Sequence, residues 1–245
     1  MSLIDSPAKP ALKLNAASQQ TLPDSGAIRG FFDGIASHYD FLNSLLSFSL
    51  DERWRRRSLE IMVKGNEQTL LDLGTGTGRF LKIFLEKKKW QRAVGLDFSS
   101  AMLERAAKIV PAAELVSADF HRMPFADKSF DLIVSSFALR SVKDMPRFLA
   151  ETHRLLAPGG RAGFLCLTRP NNFFNLFYMP YLKIYLPLVG RLLSGNAQAY
   201  KFLSDSIQVF QDPAVTARQM RDAGFRQTAI HSFTFGSATL IVGVK

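Results

Sequence analysis

Thr69-Leu70-Leu71-Asp72-Leu73-Gly74-Thr75-Gly76-Thr77-Gly78 is the stretch on which the fold turns. A short apolar run ends in an acid and breaks into alternating glycines, and an amphipathic segment from Arg79 to Lys87 follows at once. Such an order predicts a β-strand, a glycine turn and a helix, with a ligand held against the backbone of the turn. Glycine suits that turn because a side chain would obstruct both the tight bend and the approach of a ligand. An ordinary strand-to-helix turn has the same local pattern, so the remaining chain must decide between them.

Outward from this stretch the pattern repeats. Ala93 to Asp97 reads as a second strand ending in an acid, and Ser99 or Ser100 is placed to cap a helix running through Lys108. Glu114 to Val116 is a third short strand, followed by Ala118-Asp119-Phe120. Phe130 to Ser136 is a fourth, and helical spacing covers Met145 to Leu156. Pro158-Gly159-Gly160 is expected to turn the chain into a fifth strand from Arg161 to Leu167. Strands alternating with helices imply parallel βαβ units and a doubly wound α/β sheet. A helix from Pro213 to Asp222 and two strands, Arg226 to Thr234 and Ser237 to Val244, end the chain as an antiparallel hairpin.

Three regions stand outside this rhythm. Met1 to Gly26 is rich in Ser, Ala, Pro and Lys without periodicity and reads as a flexible leader before a domain spanning 27–245. Ala27 to Val63 is expected to be helical, with Phe31, Phe32, Tyr39, Trp54 and arginines at 53 and 55–57. Asn171 to Asp212 is aromatic and punctuated by proline, too long for a plain loop, and is expected to form an inserted helical cap.

Bulk properties narrow the class. The chain has 245 residues, 47% of them hydrophobic, enough for one large domain with a substantial core. Its 31 Lys+Arg against 21 Asp+Glu leave a formal charge of +10, which favours anionic partners without choosing among nucleic acid, acidic lipid and charged substrate. The single cysteine, Cys166, excludes an intrachain disulfide and lies in an apolar strand pattern, so it is expected to be buried. The N-terminal stretch lacks the apolar core of a signal peptide, and Phe173 to Leu193 is broken by Pro180, Lys183, Pro187 and Gly190, so a cytoplasmic location is expected.

Ligands of open α/β sheets gather at the carboxyl ends of the strands. Here those ends carry Asp72 with the glycines, then Asp97, Asp119 and Ser135-Ser136. A carboxylate ending the second strand commonly receives ribose hydroxyls, which fits a nucleoside ligand but not NAD over S-adenosylmethionine. The Gly-x-Gly-x-Gly spacing lacks the third glycine position of the pyrophosphate fingerprint, Asp119 follows the third strand where an adenine amino group could be read, and the chain closes in a hairpin. These features favour S-adenosylmethionine.

On these residues the core from Leu70 to Leu167 resembles the class I S-adenosylmethionine-dependent methyltransferases, with their Rossmann-like sheet. Tyr39-Asp40-Phe41-Leu42-Asn43 with Trp54, Phe137-Ala138-Leu139-Arg140-Ser141-Val142, Arg154 to Gly160, and Tyr200 to Ile207 resemble the separated signatures of the UbiE/COQ5 or MenG quinone-biosynthesis family. That resemblance implies cofactor contacts at Thr77, Asp97, Phe98, Asp119, Phe120 and Ser136, with Asp72, Gly74, Gly76 and Gly78 shaping the loop at the methionine end. It implies Arg140, Tyr39 and Ser141 on the acceptor side, S-adenosylhomocysteine as product, and no metal. Arg140 cannot serve as a free base, since guanidinium stays protonated, but it can stabilise a phenolate. The acceptor implied is a prenylated quinol or another hydrophobic phenol, with no nucleic acid, with peripheral contact at an anionic membrane and with a homodimer among the expectations. His38 and His121 are expected to be structural, with His38, beside Tyr39, the better candidate of the two for a base. Departures fall mainly on the acceptor side: Leu42 and Asp51 stand for methionine and histidine, Ala138 for glycine, Ser141 for asparagine, and Cys166-Leu167-Thr168 for Glu-Phe-Ser.

Overall fold

A computed structural model describes residues 44, 47–170, 173–185 and 211–245. Its centre is a seven-stranded sheet. Helix α1 (Leu50–Met62) precedes β1 (Thr69–Leu73), α2 (Arg79–Lys87), β2 (Arg92–Asp97), α3 (Ser100–Ile109), β3 (Glu114–Ser117) and β4 (Phe130–Ser136). Then come α4 (Met145–Leu155), β5 (Leu156–Leu167), α5 (Asn175–Pro180), α6 (Pro213–Asp222), β6 (Arg226–Phe233) and β7 (Ala238–Val244).

The strand order is β3-β2-β1-β4-β5-β7-β6. β1 pairs in parallel with β2 on one side, Asp72 opposite Gly95, and with β4 on the other, Leu71 opposite Ile133. The chain therefore leaves β1 in one direction and returns for β4 in the other, which opens a crevice above their carboxyl ends. β7 runs antiparallel to both β5 and β6 and is inserted between them.

Burial on both faces explains the near-continuous apolar strands. Leu70, Leu132, Val134, Leu165 and Leu240 face one way, under Trp54, Met62, Phe80, Phe84 and Val110 from α1, α2 and the end of α3. Leu71, Leu73, Ile133, Phe164 and Ile241 face the other, under Phe148, Leu149, Met220 and Phe225 from α4 and α6. Cys166 is buried in the second layer.

Three details differ from the sequence expectations. Continuous helix before α1 is interrupted, because Phe48 and Ser49 take left-handed φ of 52° and 60°; residues 27–43, 45 and 46 lie outside the described residues. The turn at Pro158-Gly159-Gly160 does not precede the fifth strand but lies within it. Phe130 pairs with Leu156 and Leu132 with Arg161, so the intervening residues bulge from the ladder. Thr234 leaves β6 for a short turn with Phe235 at φ 56°. Of the expected cap, residues 173–185 and 211–212 are described, and they hold α5 and one π-helical turn, Tyr181–Tyr185. The expected leader, 1–26, lies outside the described residues.

Candidate active site

The glycine loop is tied down on both sides. Gly74 N–H and Thr75 N–H both donate to the Leu96 carbonyl of β2, at 2.8 and 3.0 Å. Gly74 needs to be glycine twice over: its φ is 68°, and a Cβ there would stand 2.6 Å from Cβ of Ala138. Gly76, at φ 55°, has open space where its Cβ would be, and its N–H donates to Asp97 Oδ2 at 2.8 Å. The Ser99 N–H donates to Asp97 Oδ1 at 3.0 Å, and the Ser99 hydroxyl oxygen accepts from Met102 N–H at 3.2 Å to cap α3. One buried carboxylate thus joins the tip of the loop to the start of the next helix.

Asp72 sits below this arrangement, 1% exposed, and is not on the wall of the cleft. Its Oδ2 accepts from the Thr75 hydroxyl at 2.8 Å, while Oδ1 is buried with no hydrogen-bond partner. Burial pushes its carboxyl up to about 7, against the pull of the Thr75 hydroxyl and the Arg55 charge. Thr77 is buried and Gly78 begins α2 at φ 86°. Neither lines the cleft.

The cleft, about 430 Å³ including its open mouth, is lined by Gly74, Gly76, Asp97, Phe98, Met102 and Phe120 on one side, and by Ser136, Phe137, Ala138 and Ser141 on the other. Strand β4 supplies the second wall. The Ser135 hydroxyl donates to the Leu73 carbonyl at 2.7 Å and locks the ends of β4 and β1 together. Phe137 follows in the left-handed region, φ 61°, with its N–H donating to the Leu165 carbonyl at 2.7 Å. A short 3-10 turn, Leu139–Ser141, then brings Ser141 to the rim.

Seven residues expected from the sequence meet on this wall: Gly74, Gly76, Asp97, Phe98, Phe120, Ser136 and Ser141. Asp119 is not brought in. Its side chain accepts from the His121 amide at 2.7 Å and contacts the His121 ring at 2.6 Å, and although burial opposes it, those contacts hold its carboxyl below the ordinary range. His121 Nε2 also accepts from Asp144 N–H at 3.3 Å, so both ring nitrogens serve the loop. Arg140 is half-buried, and its Nε is buried without a hydrogen-bond partner. Its charge reaches Cys166, whose thiol burial pushes up to about 12, far from a reactive thiolate at neutral pH. Tyr39 and His38 lie outside the described residues.

Phe137 and Met102 were not marked as site residues in the sequence. Met102 follows from the Ser99 cap, which aims the first turn of α3 at the acid-bearing strand end. Phe137 carries no such signal, since its role depends on a backbone angle. Among the described residues, no three His, Cys, Asp or Glu side chains cluster to hold a metal.

An acid beside open space at Gly76, with Phe98, Met102 and Phe120 as apolar walls, suits a nucleoside: a diol at the polar end and a flat base between the apolar side chains. Comparison with known proteins points the same way. The model of the ubiE/COQ5 methyltransferase family matches residues 19–245. The chain is 39% identical over 214 residues to the demethylmenaquinone methyltransferase of Thermotoga maritima, covering 86% of this chain and 93% of that protein. It is 37% identical over 227 residues to the ubiquinone/menaquinone biosynthesis C-methyltransferase UbiE of Geotalea daltonii, covering 89% and 96% respectively. Among solved structures, it is similar to a SAM-dependent methyltransferase of Thermotoga maritima, with a TM-score of 0.64, 19% identity and coverage of 89% and 99%, a likeness of fold alone.

Proposed function

Because the chain belongs to the ubiE/COQ5 family of S-adenosylmethionine-dependent methyltransferases, we propose that it methylates a ring carbon of a prenylated quinol of the demethylmenaquinol type. The observation that carries this reading is the pairing on one cleft of a nucleoside-type wall, ending at Asp97, with the Ser136 to Ser141 segment leading directly out of β4. The relatives named above act in quinone biosynthesis, as their names state.

Bound S-adenosylmethionine supplies an electrophilic methyl group on a sulfonium. This chain's residues do the rest by holding, orienting and excluding water. Asp97 receives the ribose hydroxyls, and Phe98, Met102 and Phe120 enclose the base. Asp72, Thr77, Gly74, Gly76 and Gly78 set the loop that faces the methionine end, and Asp119 supports the base-side turn through His121. Ser136 joins the two halves of the site. On the acceptor side, Arg140 stabilises a phenolate by charge, and the ionised oxygen raises the electron density of the neighbouring ring carbon. Ser141 and Tyr39 orient the ring.

The prenyl chain lies along the aromatic row of the cap, residues 171–212. In its described part Phe174, Tyr178, Tyr181 and Tyr185 follow one another at 6.2, 6.0 and 5.5 Å between centroids, and Phe174 meets Phe235 of the turn before β7 at 5.2 Å. Phe48, Phe173 and Phe235 are exposed at 68%, 76% and 69%. With a net charge of +10, these rings let the protein rest on the inner face of an anionic membrane as a peripheral homodimer. No helix among the described residues is long and apolar enough to cross a membrane.

The test is methyl transfer from labelled cofactor to a panel containing a demethylmenaquinol, a ubiquinol precursor and a small unprenylated phenol, with RNA as control. Label in the demethylmenaquinol is expected. Label only in the small phenol would move the substrate class to a soluble phenolic, and label only in RNA would overturn the reading.

A further inference from the structure

We propose that Arg55 is a positioning residue for cofactor binding: it holds the Phe137 ring in the wall of the cleft. The inference rests on the reading of this cleft as the cofactor site. Arg55 belongs to α1, which contributes no residue to the cleft wall, and is 5% exposed.

Its contacts run in two directions. Arg55 Cζ stands 5.0 Å from the centroid of the Phe137 ring. Trp54 meets that ring edge-on at 6.5 Å and is itself fixed by donating its indole N–H to Thr234 Oγ1 at 2.9 Å. Phe137 needs such bracing because its left-handed φ is unfavourable for a residue with a side chain and persists only where surroundings over-determine it. A ring clasped by a guanidinium and an indole cannot relax out of the cleft wall.

The second direction is electrostatic. Arg55 Nη1 meets Asp51 Oδ2 at 2.5 Å one turn earlier on α1. Asp51 also accepts from the Ser47 hydroxyl at 2.8 Å and has Arg79, the first residue of α2, at 3.4 Å. Arg79 reaches Glu52 at 3.5 Å. Arg55 and Arg79 thus share Asp51, and Arg79 has Glu52 as well, so the guanidinium over Phe137 is held in place from the far side. Arg55 Nε and Asp72 Oδ1 are both buried without a hydrogen-bond partner. The Arg55 charge favours the ionised form of Asp72 without a hydrogen bond between them.

Asp72 is met from every side by identifiable groups. The Thr75 hydroxyl of the loop, the Leu81 amide of α2 and the Arg55 guanidinium of α1 favour its ionised form, while burial and Asp97 of β2 oppose it. Removing Arg55 tips that balance towards the protonated acid at neutral pH. The Thr75 hydroxyl then loses its anionic acceptor, in the loop that has to receive a cationic cofactor.

The experiment uses the full chain as wild type, Arg55→Met, Arg55→Lys, Asp51→Asn, Phe137→Leu and the Arg55→Met/Phe137→Leu double variant. Calorimetric affinity for S-adenosylmethionine and S-adenosylhomocysteine is measured from about pH 5.5 to about pH 8.5. Wild-type affinity is expected to fall with acidity through a midpoint. Arg55→Met is expected to weaken binding severalfold at every pH, as loss of the Phe137 brace requires, and to raise that midpoint, so that the loss is larger near neutrality than in alkali. Arg55→Lys returns the midpoint, Asp51→Asn lowers it, and Phe137→Leu weakens binding equally at every pH. An Arg55→Met protein that keeps wild-type affinity in alkali overturns the proposal, and so does an Arg55→Met/Phe137→Leu double variant in which the two losses simply add. If Arg55→Met does not fold, Arg55→Lys, which keeps a cation over the ring, decides it: an affinity as low as that of Phe137→Leu at every pH overturns it. Wild type that binds neither ligand at any pH would instead sink the reading of the cleft itself.

Discussion

Replacing Asp72 with asparagine is expected to stabilise the ligand-free protein in alkali while weakening its hold on the cofactor. Asp72 is 1% exposed, and burial raises its carboxyl from 3.8 to about 7. Between those values the folded chain keeps a proton that the unfolded chain has lost. Stability therefore falls as pH rises through that window, and levels off above it. At about 1.36 kcal/mol per pH unit the full cost is about 4 kcal/mol, of which about 3 kcal/mol accrues between about pH 5 and about pH 8.5. Asparagine escapes this charge cost. Its carbonyl can still accept from Thr75, but its N–H2 falls where Oδ1 has no partner, and one unsatisfied donor offsets about 1–2 kcal/mol at every pH. The variant should match wild type near about pH 5 and exceed it by about 2–3 kcal/mol near about pH 8.5. Urea denaturation of the cofactor-free protein at a series of pH values measures this difference directly. A difference that stays flat across the range would refute the reasoning, because it would mean that Asp72 is ionised at the same pH folded and unfolded.

Other substitutions separate the parts of the site. Gly74→Ala places a methyl 2.6 Å from Cβ of Ala138 on a backbone with φ 68°, and is expected to cost about 1–3 kcal/mol in thermal denaturation and to weaken cofactor binding. Asp97→Ala removes the acceptor shared by the Gly76 and Ser99 amides and should abolish S-adenosylhomocysteine binding in calorimetry, whereas Arg140→Ala should leave binding intact and slow methyl transfer. Equal loss of binding in both would show that the two roles are not divided this way. Asp131 accepts from the Gln68 amide, the Thr69 amide and the Thr69 hydroxyl at 2.8, 2.9 and 3.0 Å. Burial opposes its ionisation, but those bonds hold its carboxyl below its ordinary value, so its stabilisation is present at neutral pH and is lost as pH falls through the lowered value. Asp131→Asn should cost about 2 kcal/mol at neutral pH, with the gap closing in strong acid when followed by chemical denaturation.

The strands of the sheet and the loop after β1 were legible in the chain alone. Leu70-Leu71-Asp72-Leu73 and Phe130 to Ser136 are apolar on both faces, as strands covered on both sides must be, and Gly74 to Gly78 can bend only where no side chains intervene. Because the acids and serines follow these strands directly in the chain, Asp97, Ser136, Gly74 and Gly76 fall on one cleft at the strand ends, as counting residues predicts. Tertiary structure decided what depends on neighbours distant in sequence. It put β7 between β5 and β6, turned the proline-glycine stretch into a bulge within β5, and directed Asp119 to His121 and away from the cleft. It set Phe137 against Arg55, 82 positions away in the chain, through a backbone angle with no sequence signal. Local pattern encodes periodicity and turn chemistry, which act over a few residues. Ion pairing, ring stacking and the cost of a buried charge depend on which groups the fold brings within a few ångströms, and Asp72 takes its unusual character from that enclosure.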